Sequence, residues 1–132
     1  MDREAFYTYT ADVLKTLSRE GAGSVTFDPY LTGDRQSMEK KTGAWHGLTL
    51  AATRDQMLGA YLEAIQDVLL SAIHKAEHIL PLDPVIRVSG GMATPEYLDY
   101  KKMRFGGYGF SVAEDCPTLG NAELAKYYWK DR

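Results

Sequence analysis

The hydrophobic residues of the first twenty positions recur at helical spacing. Most of them are three or four positions apart, which places them on one side of a helix and predicts an amphipathic α-helix from Glu4 to Arg19. Gly21 and Gly23 end the pattern, as glycine often does just past a helix. The apolar residues of this predicted helix are Phe6, Tyr9, Val13, Leu14 and Leu17.

A short β-prone run and a long polar stretch follow. Ser24 to Phe27 predicts a brief strand, whereas residues 29–42 combine glycine with a mixed charge cluster. Because neither a helical nor a strand period is present in the polar stretch, we expect a long ordered loop there.

The start of the next helix is marked by a capping box. Thr53 stands three residues before Gln56, and in such a pair each side chain satisfies a backbone donor that the helix itself leaves free. The helix is expected to run from Arg54 to about Leu80, where two prolines end it.

This helix carries an apolar stripe that is broad for a surface helix, so we expect it to be heavily buried. It should pack across a small sheet that includes Val85 to Ser89. The residues of the stripe are Met57, Leu58, Tyr61, Leu62, Ile65, Val68, Leu69, Ala72, Ile73 and Ala76.

The last third of the chain alternates strands and helices, which favours a layered α/β domain. Its final aromatic residues, Tyr127 to Trp129, are expected to pack on the body of the domain. The predicted elements are a strand at Val85–Val88, a helix from Thr94-Pro95 to about Arg104, a strand at Tyr108–Val112 and a helix at about Thr118–Trp129.

Length and composition fit one domain covering residues 1–132. The chain is 45% hydrophobic and 25% charged, a balance that can build one core. The net charge is −3 and no basic face is visible, so the sequence gives no indication of nucleic-acid binding. The single Cys116 suits a reducing compartment, and no apolar run reaches the roughly 20 residues that span a bilayer. We therefore expect a cytoplasmic domain without a membrane segment.

The unit of strand, Gly90-Gly91 and helix offers the sharpest chemical signal. Glycine lets the backbone approach a ligand, and the helix start behind it presents free N–H groups that suit a phosphate. The alternative is a tight turn that needs glycine for its geometry alone, and the residues leave both interpretations open, since a full phosphate-binding loop motif is absent.

Other candidate residues carry weaker signals. His74 and His78 have the spacing of two zinc ligands, but the HExxH order is absent, so a solvated helix face is favoured and no metal site is predicted. His46 is expected to be a packing residue rather than a base. Cys116 lacks a histidine at a meaningful spacing, which argues against a nucleophile. Spacing does not distinguish a base among Asp28, Asp34, Asp55 and Asp115.

Four blocks, in order, resemble the C-terminal part of the FGGY carbohydrate kinases. The first resembles the family's Phe-x-Pro-Tyr-Leu-x-Gly-Glu-Arg signature, with Asp34 in place of glutamate, and the last resembles its terminal Leu-Gly-Ala-Ala-x-Leu-Ala helix, with Asn121 in place of alanine. Ser37 stands where proline is common. The blocks are Phe27–Arg35, Gly43–Thr49, Ser89–Met92 and Leu119–Ala125.

The resemblance implies a fold and a role. It implies part of the second actin-like (ribonuclease H-like) ATPase domain, with Gly90, Gly91 and Met92 on the adenosine and α-phosphate side of ATP. The parent enzyme would transfer the γ-phosphate of ATP, with Mg²⁺, to a sugar hydroxyl, and the first block is most similar to pentulose kinases such as xylulokinase. Asp34 and Arg35 either form a structural ion pair, which is favoured, or border the cleft.

The same resemblance places the sugar-binding domain and the catalytic aspartate upstream of Met1. No catalytic residue is therefore predicted within the chain, and the fragment alone is expected to be inactive and to expose apolar surface that favours a homo-oligomer. The alternative is a non-catalytic interaction module of the actin fold.

Overall fold

A computed structural model describes residues 2–34 and 37–130 and confirms a mixed α/β architecture. Helices supply most of the regular structure, and the strands form two separate two-stranded sheets. The elements in chain order are α1 (Arg3–Glu20), β1 (Thr26–Asp28), β2 (Ala44–His46), α2 (Arg54–Glu77), β3 (Val85–Val88), α3 (Pro95–Arg104), β4 (Gly109–Val112) and α4 (Cys116–Lys130).

The helix ends follow the capping residues of the sequence. Asp2 caps α1 by accepting a hydrogen bond from the backbone N–H of Ala5, and Gly21, whose φ is 68°, follows the last helical residue. The predicted capping box is confirmed, since Thr53 Oγ1 accepts from the N–H of Gln56 and Gln56 Oε1 accepts from the N–H of Thr53. The helix α2 ends at Glu77, three residues before the predicted Leu80.

The first sheet is a small antiparallel hairpin of β1 and β2. Phe27 stands opposite Trp45, and their ring centroids are 4.2 Å apart. Just after β2, Gly47 has a φ of 70°, and a Cβ there would lie 2.1 Å from the Ser24 carbonyl oxygen. The close approach of the two backbones therefore requires glycine at this position. The strand β2 was not predicted from the sequence.

The second sheet pairs β3 and β4 in parallel, and α3 connects them. The register places Val85 beside Gly109 and Val88 beside Val112. Thr94 caps α3 through a hydrogen bond from the N–H of Tyr97, and Pro95 opens the first turn. The predicted order of strand, glycine turn, helix and strand is confirmed in this region.

The core lies where α1 packs against α2 and α3, and where β1 packs against α2. The expected packing of α2 across Val85–Ser89 is therefore wrong, because α1 and β1 occupy the apolar side of α2. Burial of α2 is also less complete than predicted, since Val68 and Leu69 in its second half are exposed. The buried apolar cluster comprises Val13, Leu14, Leu17, Ala22, Val25, Phe27, Ala60, Leu62, Tyr97 and Tyr100.

The last helix, α4, lies apart from this core. Every described side chain from Pro117 to Trp129 is exposed, so the prediction that the aromatic end packs on the body is wrong. The wide apolar surface of α4 has no counterpart in the described part of the chain to cover it. Among residues 2–34 and 37–130, no helix combines the length and apolar character that crossing a membrane requires.

Candidate functional site

A shallow hollow lies at the carboxyl ends of the parallel strands β3 and β4. Ser89 and Gly90 follow β3 and form one wall, and residues 112–117 form the other as β4 passes into α4. The hollow measures about 450 Å³. Ligands of open α/β sheets bind outside the carboxyl ends of strands, which makes this position the leading candidate.

The three residues predicted to contact nucleotide occupy different surroundings. Gly90 lines the hollow with a φ of 105°, a conformation that favours glycine, and a Cβ there would meet no atom within 4 Å. Gly91 instead faces α1, where a Cβ would lie 2.7 Å from the Tyr7 hydroxyl oxygen. Met92 packs against the buried apolar cluster. Of the three, Gly90 is the one whose backbone is open to a ligand in the hollow.

The opposite wall combines a helix start with two carboxylates. Glu114 and Asp115 line the hollow immediately before α4, and Asp115 has a positive φ of 49°. The first N–H groups of α4 attract negative charge, whereas the two carboxylates repel it. This wall therefore suits a neutral group that donates hydrogen bonds, such as a ribose hydroxyl, better than a bare phosphate.

Cys116 also lines this hollow, at the first position of α4. Its thiol lies 3.6 Å from the Ala113 carbonyl oxygen, in a geometry that allows a weak hydrogen bond. The side chain is half-buried, and no histidine is among the residues that line the hollow.

A larger groove of about 750 Å³ lies between α2 and the loop that follows β1. Its charged groups are mostly paired already. The Lys41 ammonium lies 2.7 Å from the Asp34 carboxylate, which also accepts a hydrogen bond from Ser37. Asp34 is thus ion-paired with Lys41, and the expected pairing with Arg35 stays a prediction. The predicted partner Arg35 lies outside the described residues.

At one end of this groove, Asp28 and His46 form an exposed pair across the hairpin. His46 Nε2 lies 2.8 Å from Asp28 Oδ2, and both side chains are more than half exposed. The expectation that His46 is a packing residue is therefore wrong. In the strand register His46 stands opposite Thr26 and Asp28 stands opposite Ala44, so the pair links the two strands diagonally.

The two other histidines lie at the end of α2. His78 Nδ1 is 2.6 Å from the His74 carbonyl oxygen, so the His78 ring forms a hydrogen bond with the backbone at the end of the helix. Within the described part of the chain, no three histidine, cysteine, aspartate or glutamate residues converge to hold a metal ion.

A buried lysine of α3 contacts both α2 and β4. Lys101 is only 4% exposed, and its ammonium donates to Gln66 Oε1 at 2.6 Å. The rings of Tyr97, Phe105 and Phe110 surround it with centroids 4.8, 5.3 and 5.9 Å away. Burial lowers the pKa of Lys101 from its usual value, because the charged form loses its hydration. Sequence analysis did not single out this residue.

Comparisons with protein-family models, with curated proteins and with solved structures give no match for this chain. The likeness to the FGGY kinases therefore rests on the four sequence blocks. In the structure these blocks lie in the β1–β2 hairpin and its loop, in the turn after β3 and in α4.

Proposed function

We propose that this chain is the nucleotide-binding part of a carbohydrate kinase of the FGGY type, built on the second actin-like ATPase domain. The parent enzyme would transfer the γ-phosphate of ATP to a hydroxyl of a sugar, with a pentulose such as xylulose as the favoured substrate. The chain's own contribution would be to hold the adenosine end of ATP. The four ordered blocks of the sequence support this assignment.

The single observation that carries the proposal is the position of Gly90. It stands at the carboxyl end of β3, beside the carboxyl end of β4 and across a hollow from the start of α4. Its positive φ and the open space where a Cβ would lie allow a flat ligand to approach the backbone.

The charges of the hollow favour the nucleoside end of ATP over its phosphates. The carboxylates of Glu114 and Asp115 can accept hydrogen bonds from ribose hydroxyls. They would repel the β- and γ-phosphates, which in phosphoryl transfer are neutralised by Mg²⁺. The resemblance implies the adenosine and α-phosphate side of ATP for the Gly-Gly turn, and the two carboxylates favour the adenosine part of that expectation.

The chain alone is expected to bind ATP weakly and to transfer no phosphate. Good small-molecule sites bury roughly 70–90% of the ligand, and one open wall cannot do so. Phosphoryl transfer also needs a base within reach of the attacking hydroxyl. By resemblance, the residue that acts as this base lies outside these 132 residues.

The proposal is tested by titrating the ¹⁵N-labelled chain with ATP and Mg²⁺ and following backbone amide shifts by NMR. We expect fast-exchange shifts at Ser89, Gly90 and residues 113–116. Gly90→Val should abolish them, because a β-branched side chain at positive φ is strained and projects into the hollow.

The matched control is Gly107→Val. Gly107 also has a positive φ, of 93°, and open space around its Cβ position, but it lies outside the hollow. The two variants therefore carry a similar backbone penalty. Shifts that persist in Gly90→Val, or that disappear equally in Gly107→Val with both folds intact by circular dichroism, would contradict the site.

A non-catalytic interaction module of the actin fold is the second candidate. The observation that favours it is the exposure of α4, since an apolar helix that faces water is typical of a binding element. A chain that gives no amide shifts in the hollow at millimolar ATP, but forms a defined complex through α4, would favour this function.

A further inference from the structure

An arginine of α1 lies beside the glycine turn that follows β3. A Cβ added to Gly91 would lie 2.7 Å from the Tyr7 hydroxyl oxygen and 3.6 Å from Nη2 of Arg3. Glycine at this position therefore lets α1 bring a hydroxyl and a guanidinium group directly against the turn.

Tyr7 holds the side chain of Arg3 in this position. Arg3 Nε and Nη2 both donate weak hydrogen bonds to the Tyr7 hydroxyl, at 3.4 Å, and the guanidinium carbon lies 5.6 Å from the centre of the Tyr7 ring. The two residues are one helical turn apart, so the helix itself sets their spacing. Tyr7 is half-buried whereas Arg3 is exposed, and Arg3 is therefore both restrained and accessible to a ligand.

The charge of Arg3 is not balanced by an acidic side chain in the part of the chain that the structure describes. No carboxylate among those residues lies within the 4.0 Å of an ion pair with its guanidinium. The neighbouring carboxylate of Asp2 is engaged as the cap of α1. A guanidinium with free donors matches the geometry of a phosphate group, which it can bind through two parallel hydrogen bonds.

The turn itself adds hydrogen-bond donors next to Arg3. The backbone N–H of Ala93 is bonded to the Gly90 carbonyl oxygen at 3.0 Å, but the N–H groups of Gly91 and Met92 form no hydrogen bond with the described residues. Gly91 is exposed, so a ligand can reach its backbone. Successive free N–H groups in a turn favour an anion, as does the guanidinium beside them.

The two sides of the turn differ in charge. Glu114 and Asp115 line the hollow on the side of α4, whereas Arg3 lies on the side of α1. A nucleotide has a neutral nucleoside end and an anionic phosphate chain. This difference in charge would orient it with the nucleoside in the hollow and the phosphates directed over the turn toward α1.

We propose that Arg3, held by Tyr7, forms an anion-binding subsite beside Gly91, and that this subsite takes the phosphate chain of the nucleotide whose adenosine part lies in the hollow. The assignment to a nucleotide rests on the proposed function, whereas the affinity of the subsite for a phosphate group does not. Because the contact is made by the side chain of Arg3, nucleotide binding leaves the backbone of α1 in place.

The experiment is three separate NMR titrations of the ¹⁵N-labelled full chain, with sodium pyrophosphate, adenosine and ADP at constant ionic strength. Pyrophosphate should shift the amides of Gly91 and Met92 and the Nε–H signal of Arg3. Adenosine should shift the residues of the hollow, and ADP should shift both sets. We expect ADP to bind about three- to tenfold more tightly than adenosine, as an exposed but charge-assisted contact allows.

Substitution of Arg3 separates the phosphate contact from the nucleoside contact. Arg3→Gln should abolish the pyrophosphate shifts and reduce the affinity for ADP to that for adenosine, with adenosine binding unchanged. Arg3→Lys should retain part of the preference for ADP, because lysine keeps the charge but not the planar pair of donors. The matched control is Arg19→Gln, which makes the same charge change on α1 about 24 Å away and should leave all three affinities unchanged.

Two further variants test the placement of Arg3. Gly91 is not among the glycines with positive φ, so alanine is compatible with its backbone. In Gly91→Ala the new Cβ would displace the Tyr7 hydroxyl, the end of a flexible side chain, and Arg3 with it. Tyr7→Phe removes the hydroxyl but keeps the ring. Both variants should lower the affinity for ADP at least twofold and leave adenosine binding and the circular dichroism spectrum unchanged.

Three results would overturn the subsite. They are pyrophosphate shifts that survive Arg3→Gln, an equal loss of ADP affinity in Arg3→Gln and Arg19→Gln, and a loss that appears only with substitution of Arg87, the exposed arginine of β3. Failure of the proposed function gives a different pattern. Neither adenosine nor ADP would then shift the residues of the hollow, while pyrophosphate would still shift Gly91 and Met92 in the wild type but not in Arg3→Gln.

Discussion

The two halves of this chain are held together by different means. The first half and α3 share one buried cluster, in which Leu14 and Tyr100 are almost fully enclosed. In the second half, β3 and β4 are half exposed, α4 is fully exposed, and none of their residues belongs to that cluster. The candidate nucleotide hollow lies entirely in the less buried half.

The difference connects stability with function. Segments with few buried apolar contacts open at low free-energy cost, and binding regions are often drawn from them. The first half can therefore act as a rigid support, and under the proposed function the β3–β4–α4 region would gain order when a ligand binds. Substitutions should consequently affect the two halves by different amounts.

The largest difference should appear for the same substitution made at two leucines. Leu14→Ala removes a side chain that is 1% exposed and should lower the free energy of unfolding by about 2–5 kcal/mol. Leu124→Ala removes an exposed side chain and should change the free energy of unfolding by less than about 0.5 kcal/mol in the monomer. Urea unfolding at low micromolar concentration measures both, and equal losses would contradict the contrast.

A smaller difference is expected for two glycines with positive φ. Gly90→Ala should cost about 1–2 kcal/mol, because left-handed backbone is unfavourable for alanine but the space beyond it is open. Gly47→Ala should cost more, since its Cβ would overlap the Ser24 carbonyl oxygen at 2.1 Å as well. Thermal unfolding compares the variants, and a Gly90→Ala variant that is less stable than Gly47→Ala would invert the comparison.

The smallest effect concerns the pH dependence at Lys101, where the two halves meet. Its pKa in the folded state lies below the unfolded value of 10.5, so the unfolded chain binds more protons between the two values. The buried charge therefore lowers the free energy of unfolding at pH values below the folded pKa. This loss becomes smaller as pH rises toward 10.5, because the buried lysine becomes neutral. Lys101→Met removes this contribution.

We expect the stability of Lys101→Met, measured relative to the wild type, to decline as pH rises toward 10.5, because the lysine of the wild type loses its proton. Comparing the two proteins at each pH cancels the shared ionisation of the tyrosines, including Tyr100, whose pKa burial raises to about 12. A difference that is constant over this range would show that Lys101 keeps an ordinary pKa.

Local signals predicted the elements well and their packing less well. The capping box at Thr53, the proline after Thr94 and the glycines that follow α1 act within a few residues, so the sequence is sufficient to find them. The partner of α2 could not be found in this way. A broad apolar stripe indicates that a helix is covered, but α1, β1 or β3 would satisfy it equally.

The candidate site was predictable only in part, because only its glycine turn has a local signal in the sequence. Glycine after a strand identified the turn, and Gly90 lines the hollow. The direction in which Gly91 faces depends on α1, which is more than seventy residues earlier in the sequence, and Glu114 and Asp115 enter the site through the parallel pairing of β3 and β4. Such long-range placements have no local signature.

The most direct test of the nucleotide assignment is hydrogen–deuterium exchange of the chain with and without saturating ATP and Mg²⁺. The account predicts slower exchange at residues 89–91 and 113–118, with exchange in α1 and the first half of α2 unchanged. Unchanged exchange at residues 89–91 and 113–118, or protection confined to the groove beside α2, would contradict it.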